Sequence, residues 1–133
     1  MKVVIDTNVF VSSFFGGKPK KIIDMWKMGK IVLCLSGRIL DEYVDVLGRL
    51  GLENQPELDE LLALFSKGRN ISFTAQTPKV KIVDDPDDDK FIECALALKA
   101  DAVISGDKKV LAVKEHMRIR ILSPAQFLDL HST

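Results

Sequence analysis

The sequence predicts an α/β fold, with a central, mostly parallel sheet buried under helices on both faces. Three observations carry this. The runs Val3-Val4-Ile5, Ile31-Val32-Leu33-Cys34-Leu35 and Ala102-Val103-Ile104 are continuously apolar, as strands covered on both sides are. Segments with apolar residues at helical spacing lie between them, and alternating strands and helices build parallel sheets. Acids follow the first and third runs, Asp6 and Asp107, and open parallel sheets bind ligands outside the carboxyl ends of their strands.

Lys2 to Asp6 reads as the first strand. Thr7 and Asn8 are helix-capping types, so Val9 to Phe15 is expected as a short helix. Gly16-Gly17 and Pro19 mark a loop, and Ile22, Ile23 and Trp26 give helical spacing until Gly29. Ile31 to Leu35 is the second strand. Ser36 caps a helix whose apolar stripe is Ile39, Leu40, Tyr43, Val46, Leu47 and Leu50. Leu58, Leu61, Leu62 and Phe65 mark another helix, starting near Asn54 and Pro56. Ile71 to Phe73 is a weak strand, and Val80 to Val83 an extended piece. Asp85-Pro86 starts a helix through Phe91, Ile92, Ala95, Leu96 and Leu98, because proline suits the first helical position. Ala102 to Ser105 forms a strand, Lys108 to Val113 a short helix, and Ile119 to Leu122 the last strand. Ser123-Pro124 caps a terminal helix bearing Phe127, Leu128 and Leu130.

At 133 residues the chain is expected to be one domain. A chain this size buries roughly two-thirds of its unfolded surface and needs no staple. Its 19 basic and 19 acidic residues cancel, which argues against a protein that coats DNA, where affinity comes from neutralising phosphates. Cys34 and Cys94 sit in apolar surroundings and read as buried thiols. With no C-x-x-C pair, and with His116 and His131 far apart, zinc ligation is not expected. Asp6 and Asn8 interrupt the first apolar run, so no signal peptide is expected. No window approaches the ~20 apolar residues of a spanning helix. A cytoplasmic protein with no membrane partner is the expectation. Phe14, Phe15, Trp26 and Met28 fit a dimer patch or core, with core favoured.

Four carboxylates converge on one expected spot. Asp6 ends a buried strand, where a charge without a use is costly; its bland reading is a helix cap. Glu42 lies beside Ile39 and Val46 at ~100° per residue, while Asp41 and Asp45 turn toward water. Among the five acids of residues 84–89, Asp88 lies nearest the stripe of Phe91, Ile92 and Ala95 and is expected to face the protein body. Asp89 falls at its edge. The bland reading of that run is a set of acids complementing the helix dipole. Asp107 is a candidate cap for the Lys108 helix. Four negative charges gathered together call for a cation, so a divalent metal site is the leading expectation.

The segments V-V-I-D-T-N (Val3 to Asn8), Leu40 to Leu47 around Glu42, and D-P-D-D-D-K-F-I-E-C-A (Asp85 to Ala95) resemble a PIN domain. A-D-A-V-I-S-G-D (Ala100 to Asp107) and I-L-S-P-A-Q-F-L (Ile121 to Leu128) extend the likeness over essentially the whole chain. The chain is most similar in pattern to bacterial and archaeal toxin components of toxin–antitoxin modules. The resemblance implies a Rossmann-like three-layer α/β/α sandwich with four to five strands, and a metal-dependent endoribonuclease. The family's acids carry over to Asp6, Glu42, Asp88 and Asp107. Asn8 and Ser105 match positions that support the site by hydrogen bonds, and Thr7, inside the same D-T-N, is counted with them. It also implies a homodimer and an antitoxin that covers the site. One departure stands out: relatives often carry an acid where this chain has Lys109, which bears on whether a second metal is held tightly.

The expected cofactor is Mg²⁺ or Mn²⁺, one or two ions, since both favour carboxylate and water ligands. The expected reaction is hydrolysis of an RNA phosphodiester by metal-activated water. Lys18, Lys20, Lys21, Lys108 and Lys109 are candidates for a basic rim. Alternatives are an aspartate-based phosphatase, a receiver-like Mg²⁺-binding domain, or a non-catalytic nucleic-acid-binding module. The phosphatase motif D-x-D fails at Asn8, and a receiver wants paired acids where Lys2 to Asp6 offers one.

Overall fold

The computed structural model describes residues 1–83 and 85–131; Asp84 of the acidic run lies outside them. In chain order the strands are β1 (Lys2–Ile5), β2 (Val32–Ser36), β3 (Ile71–Thr74), β4 (Ala102–Ile104), β5 (Glu115–His116) and β6 (Ile119–Leu122). The helices are α1 (Thr7–Ser12), α2 (Gly17–Lys27), α3 (Gly37–Arg49), α4 (Pro56–Lys67), α5 (Pro86–Leu98), α6 (Lys108–Leu111) and α7 (Pro124–Leu130). The strands make one sheet in the order β3-β2-β1-β4-β6-β5. All neighbouring pairs are parallel except β5 with β6. The fold is α/β, as the sequence predicts.

Val3, Val4 and Ile5 are all buried, and so are Ala102, Val103 and Ile104. Successive strand residues point to opposite faces, so both faces of the sheet centre are covered. Helix α5 packs against β1, β2, β3, β4 and β6. Trp26, Tyr43, Phe10 and Phe127 are the largest fully buried side chains. From β1 the chain steps outward to β2 and β3, then returns to β4 on the other side of β1. The order therefore reverses between β1 and β4, and their carboxyl ends frame the crevice where such sheets take ligands.

Several elements differ from expectation for identifiable reasons. The sheet has six strands rather than four to five. The addition, β5, pairs antiparallel to β6 through a two-residue turn, Met117 (φ 48°) and Arg118 (φ 73°). Such turns normally carry Asn or Gly, so this one left no sequence signal. The Gly16–Pro19 stretch is not all loop: α2 begins at Gly17, with Pro19 in its first turn, where helical N–H groups have no intrahelical partner to lose. Asp6, not Thr7 or Asn8, caps α1, its carboxylate accepting from the Val9 amide at 2.8 Å. Helix α1 ends at Ser12 and tightens into a 3₁₀ turn over Ser13–Phe15. Trp26 is core, but Phe15 is 73% exposed and Met28 67%. Leu50 and Leu62, expected on buried stripes, are also exposed. No helix among the described residues is long and apolar enough to cross a membrane. Cys34 and Cys94 are free and buried, and burial pushes their thiols up to about 11 and about 12. Both thiols therefore stay protonated at neutral pH.

The extended piece before α5 is strapped down by two buried acids of that helix. Asp89 accepts from the Ile82 and Val83 amides at 3.1 and 2.8 Å, and Glu93 from Val80 at 2.9 Å. Arg38 pairs with the other oxygen of Glu93 at 3.5 Å. Asp89→Ala leaves two amides without their acceptor and is expected to lower stability by about 3 kcal/mol, measured by urea unfolding. A change below about 0.5 kcal/mol would mean that the strap contributes little.

Candidate active site

A pocket of about 230 Å³ opens at the carboxyl ends of β1 and β4, lined by Asp6, Thr7, Asn8, Glu42, Val46, Arg49, Asp88, Phe91 and Asp107. All four acids singled out from the sequence therefore border one cavity. Each arrives by a different local device. Asp6 follows β1, and its backbone amide donates to the Ile104 carbonyl at 2.9 Å, extending the β1–β4 ladder by one rung. Asp107 caps α6, accepting from the Lys109 amide at 2.8 Å. Asp88 sits in the first turn of α5, whose cap is Asp85. Glu42, Val46 and Arg49 recur at helical spacing along α3, so one face of that helix forms a wall.

Hydrogen bonds tie these pieces together. The Ser105 hydroxyl is fully buried; it donates to Asp6 and accepts from the Asp107 amide at 3.1 Å. The Thr7 hydroxyl donates to one Glu42 oxygen, and the Lys90 ammonium to the other. Tyr43, next to Glu42, donates its hydroxyl to the Ile5 carbonyl and stacks on Phe10, with ring centroids 4.0 Å apart. That contact pins α3 against the end of β1. Asn8 is exposed on the pocket wall, and the hydrogen-bond support comes from Ser105 and Thr7.

Two expectations need correction. Asp88 is only half-buried, and the acid of the first turn of α5 that turns into the protein is Asp89, 3% exposed. The helical-angle argument fails there because the chain over residues 80–83 covers that side and offers amide donors to Asp89. None of Lys18, Lys20, Lys21, Lys108 and Lys109 lines the acidic pocket. All five are exposed. Lys20 pairs with Asp24 at 3.0 Å, and Lys109 borders a separate cavity with Ile82 and Val83. The cation in the pocket wall is Arg49, which sequence reasoning missed, along with Lys90 beneath Glu42. The i, i+4, i+7 spacing from Glu42 was the signal that could have found Arg49.

Two of the four carboxyls are held above their ordinary values. Burial raises the Asp6 carboxyl above its ordinary value, and the Asp107 charge adds to this; hydrogen bonds from Ser105, Val9 and Gly106 oppose it. Asp88 is raised too, by burial first, then by Asp107, Asp85 and Asp6, against the pull of Lys90. Four carboxylates bordering one pocket, with Asp107 acting against both Asp6 and Asp88, suit a divalent cation of the Mg²⁺ or Mn²⁺ type. Among the described residues no three acidic, histidine or cysteine side chains are drawn into a ready-made cage. Asp6 faces Ser105 and Val9, while Glu42 faces Thr7 and Lys90. Each carboxylate keeps lone pairs beyond these bonds, and Mg²⁺ commonly retains water between itself and protein oxygens.

The sequence profile of the PIN domain family matches residues 2–109. The chain belongs to the PIN domain family. It is also 31% identical over 143 aligned residues to the uncharacterised protein MJ1680 of Methanocaldococcus jannaschii, a match covering 97% of this chain and 90% of that one. PIN domains are generally nucleases, typically dependent on divalent metals. Family membership sets aside the aspartyl-phosphate alternatives, which belong to other families.

The raised carboxyls fix the sign of a pH effect. Asp6 and Asp88 hold protons more readily in the folded PIN domain than in the unfolded chain. Their contribution to stability is full below the unfolded carboxylate value of ~3.9, and is lost as pH rises through the raised folded values. In EDTA at pH 7, Asp88→Asn is expected to melt at a higher temperature than wild type, with the gap closing near pH 4. Equal melting at pH 7, followed by calorimetry or circular dichroism, would contradict the charge argument.

Proposed function

We propose that this PIN domain is a metal-dependent endoribonuclease working in the pocket bordered by Asp6, Glu42, Asp88 and Asp107. The observation that carries the reading is the meeting of these four acids at the β1–β4 crevice, with Asp6 and Asp88 pushed up first by burial and then by the charge of Asp107. Asp6, Asp88 and Asp107 would hold Mg²⁺ or Mn²⁺, directly or through water. The ion, when bound, lowers the pKa of an attacking water and offsets charge on the phosphate.

The chain's own residues do the rest. Ser105 fixes the rotation of the Asp6 carboxylate, and Asp107 is fixed through its amide to the same hydroxyl. Glu42, clamped by Thr7 and Lys90, orients the attacking water. Arg49 stands at the wall on the same helix face as Glu42 and engages a phosphate oxygen of the bound strand; its present partner, Asp45 at 3.3 Å, is an exposed pair that yields readily. RNA as the substrate, together with the toxin role, a homodimer and an antitoxin partner, is carried by the sequence resemblance alone.

Cleavage of a labelled RNA oligonucleotide in Mn²⁺, with DNA of the same sequence alongside, tests this. Asp6→Asn is expected to lose more than the ~10–100-fold that a change behind the ligands costs, with the fold intact by circular dichroism. Arg49→Ala is expected to raise KM about tenfold, the loss of one charge-assisted hydrogen bond. Wild-type cleavage that persists in excess EDTA would sink the reading.

A further inference from the structure

Lys90 is the most unusual side chain near the site. Its side chain is 6% exposed, although a lysine is almost never buried unless it is paired. Its ammonium donates to Glu42 and lies 5.2 Å from the Phe91 ring centroid. Phe91 lines the same pocket. Glu42 is therefore engaged at both oxygens, by Thr7 on one and Lys90 on the other. Asp6, by contrast, accepts from the Ser105 hydroxyl and the Val9 amide, and Asp107 from the Lys109 amide, with no cation paired to either among the described residues.

This asymmetry divides the acids into two groups. Glu42 has its counter-charge built into the protein. Asp6, Asp88 and Asp107 do not: among the described residues no lysine, arginine or histidine forms an ion pair with any of the three. A divalent ion drawn to the three aspartates gains three uncompensated charges. One drawn to Glu42 would meet a buried ammonium that cannot move away into solvent, and like charges repel strongly in such surroundings.

We propose that Lys90 takes the electrostatic place of a second metal ion, holding Glu42 as its own partner, so that the site binds a single divalent ion on Asp6, Asp88 and Asp107. The inference rests on the metal-nuclease reading and deepens it. Lys90 is a positioning residue: it acts through Glu42 and stays behind the pocket wall. The second-ion side of the site is thereby permanently charged, and Glu42 keeps one orientation whether or not the ion is present.

Calorimetric titration of the full, chelator-stripped chain with MnCl₂ tests it without recourse to activity. Wild type is expected to bind one Mn²⁺ per chain. Glu42→Gln is expected to keep that stoichiometry, with affinity changed by no more than about threefold, whereas Asp107→Asn weakens it by tenfold or more. Lys90→Met, which frees Glu42, is expected to add a second Mn²⁺, and Lys90→Arg to retain one. Two ions in wild type, loss of Mn²⁺ on Glu42→Gln, or a folded Lys90→Met that still binds a single ion with unchanged affinity each overturn the proposal. If Lys90→Met does not fold, the wild-type stoichiometry and the Glu42→Gln result decide the matter. Wild type that binds no Mn²⁺ at all removes the nuclease reading, a different failure from a wild type that binds two.

Discussion

The parallel ladder between β1 and β4 carries the site, because it brings Asp6 and Ser105 side by side from positions 99 residues apart. Val3, Val4 and Ile5 align with Ala102, Val103 and Ile104, and the Asp6 amide adds a further rung to Ile104. A slip of one residue would turn every side chain of β1 to the opposite face. The Ser105 hydroxyl would then lose Asp6, and the Asp107 amide would lose the fixed oxygen that it bonds. Burial of both faces enforces the register, since every residue of these two runs from Val3 to Ile5 and from Ala102 to Ile104 is in the core.

The remaining acids reach the crevice on helices, whose placement depends on buried anchors rather than on the acids themselves. Tyr43 bonds the Ile5 carbonyl and stacks on Phe10, so Glu42, one residue earlier, is delivered beside Thr7. Burial raises the Tyr43 hydroxyl well above its ordinary value, with the Asp6 and Glu42 charges adding to this. It thus stays a donor. Helix α5 lies across most of the sheet and presents Asp88 to the pocket while Asp89 and Glu93 hold the preceding chain. One helix thus carries three acids with two separate tasks, and the difference between them is set by which donors the surrounding chain supplies.

What the sequence makes legible is whatever depends on local pattern. Continuous apolar runs mark the buried strands, Ser36 and Ser123 cap helices where their residue type says they should, and acids at strand ends fall at the crevice. What it hides depends on tertiary partners. Lys90 looks like any lysine following a charged first turn until Glu42 of α3 meets it. Asp89 and Asp88 are neighbours whose fates are decided by amides of residues 82 and 83. The hairpin at Met117 and Arg118 adopts positive φ without glycine or asparagine, so no turn chemistry announces β5. Phe15 and Met28 are apolar side chains left outside, which apolar pattern alone cannot reveal.

Anomalous diffraction from a crystal soaked in Mn²⁺ tests most directly whether the four-acid pocket is a metal centre. The expected result is a peak in the crevice between β1 and β4, within direct or one-water reach of Asp6, Asp88 and Asp107. A map with no peak in that crevice, or with manganese bound only elsewhere on the surface, would contradict it.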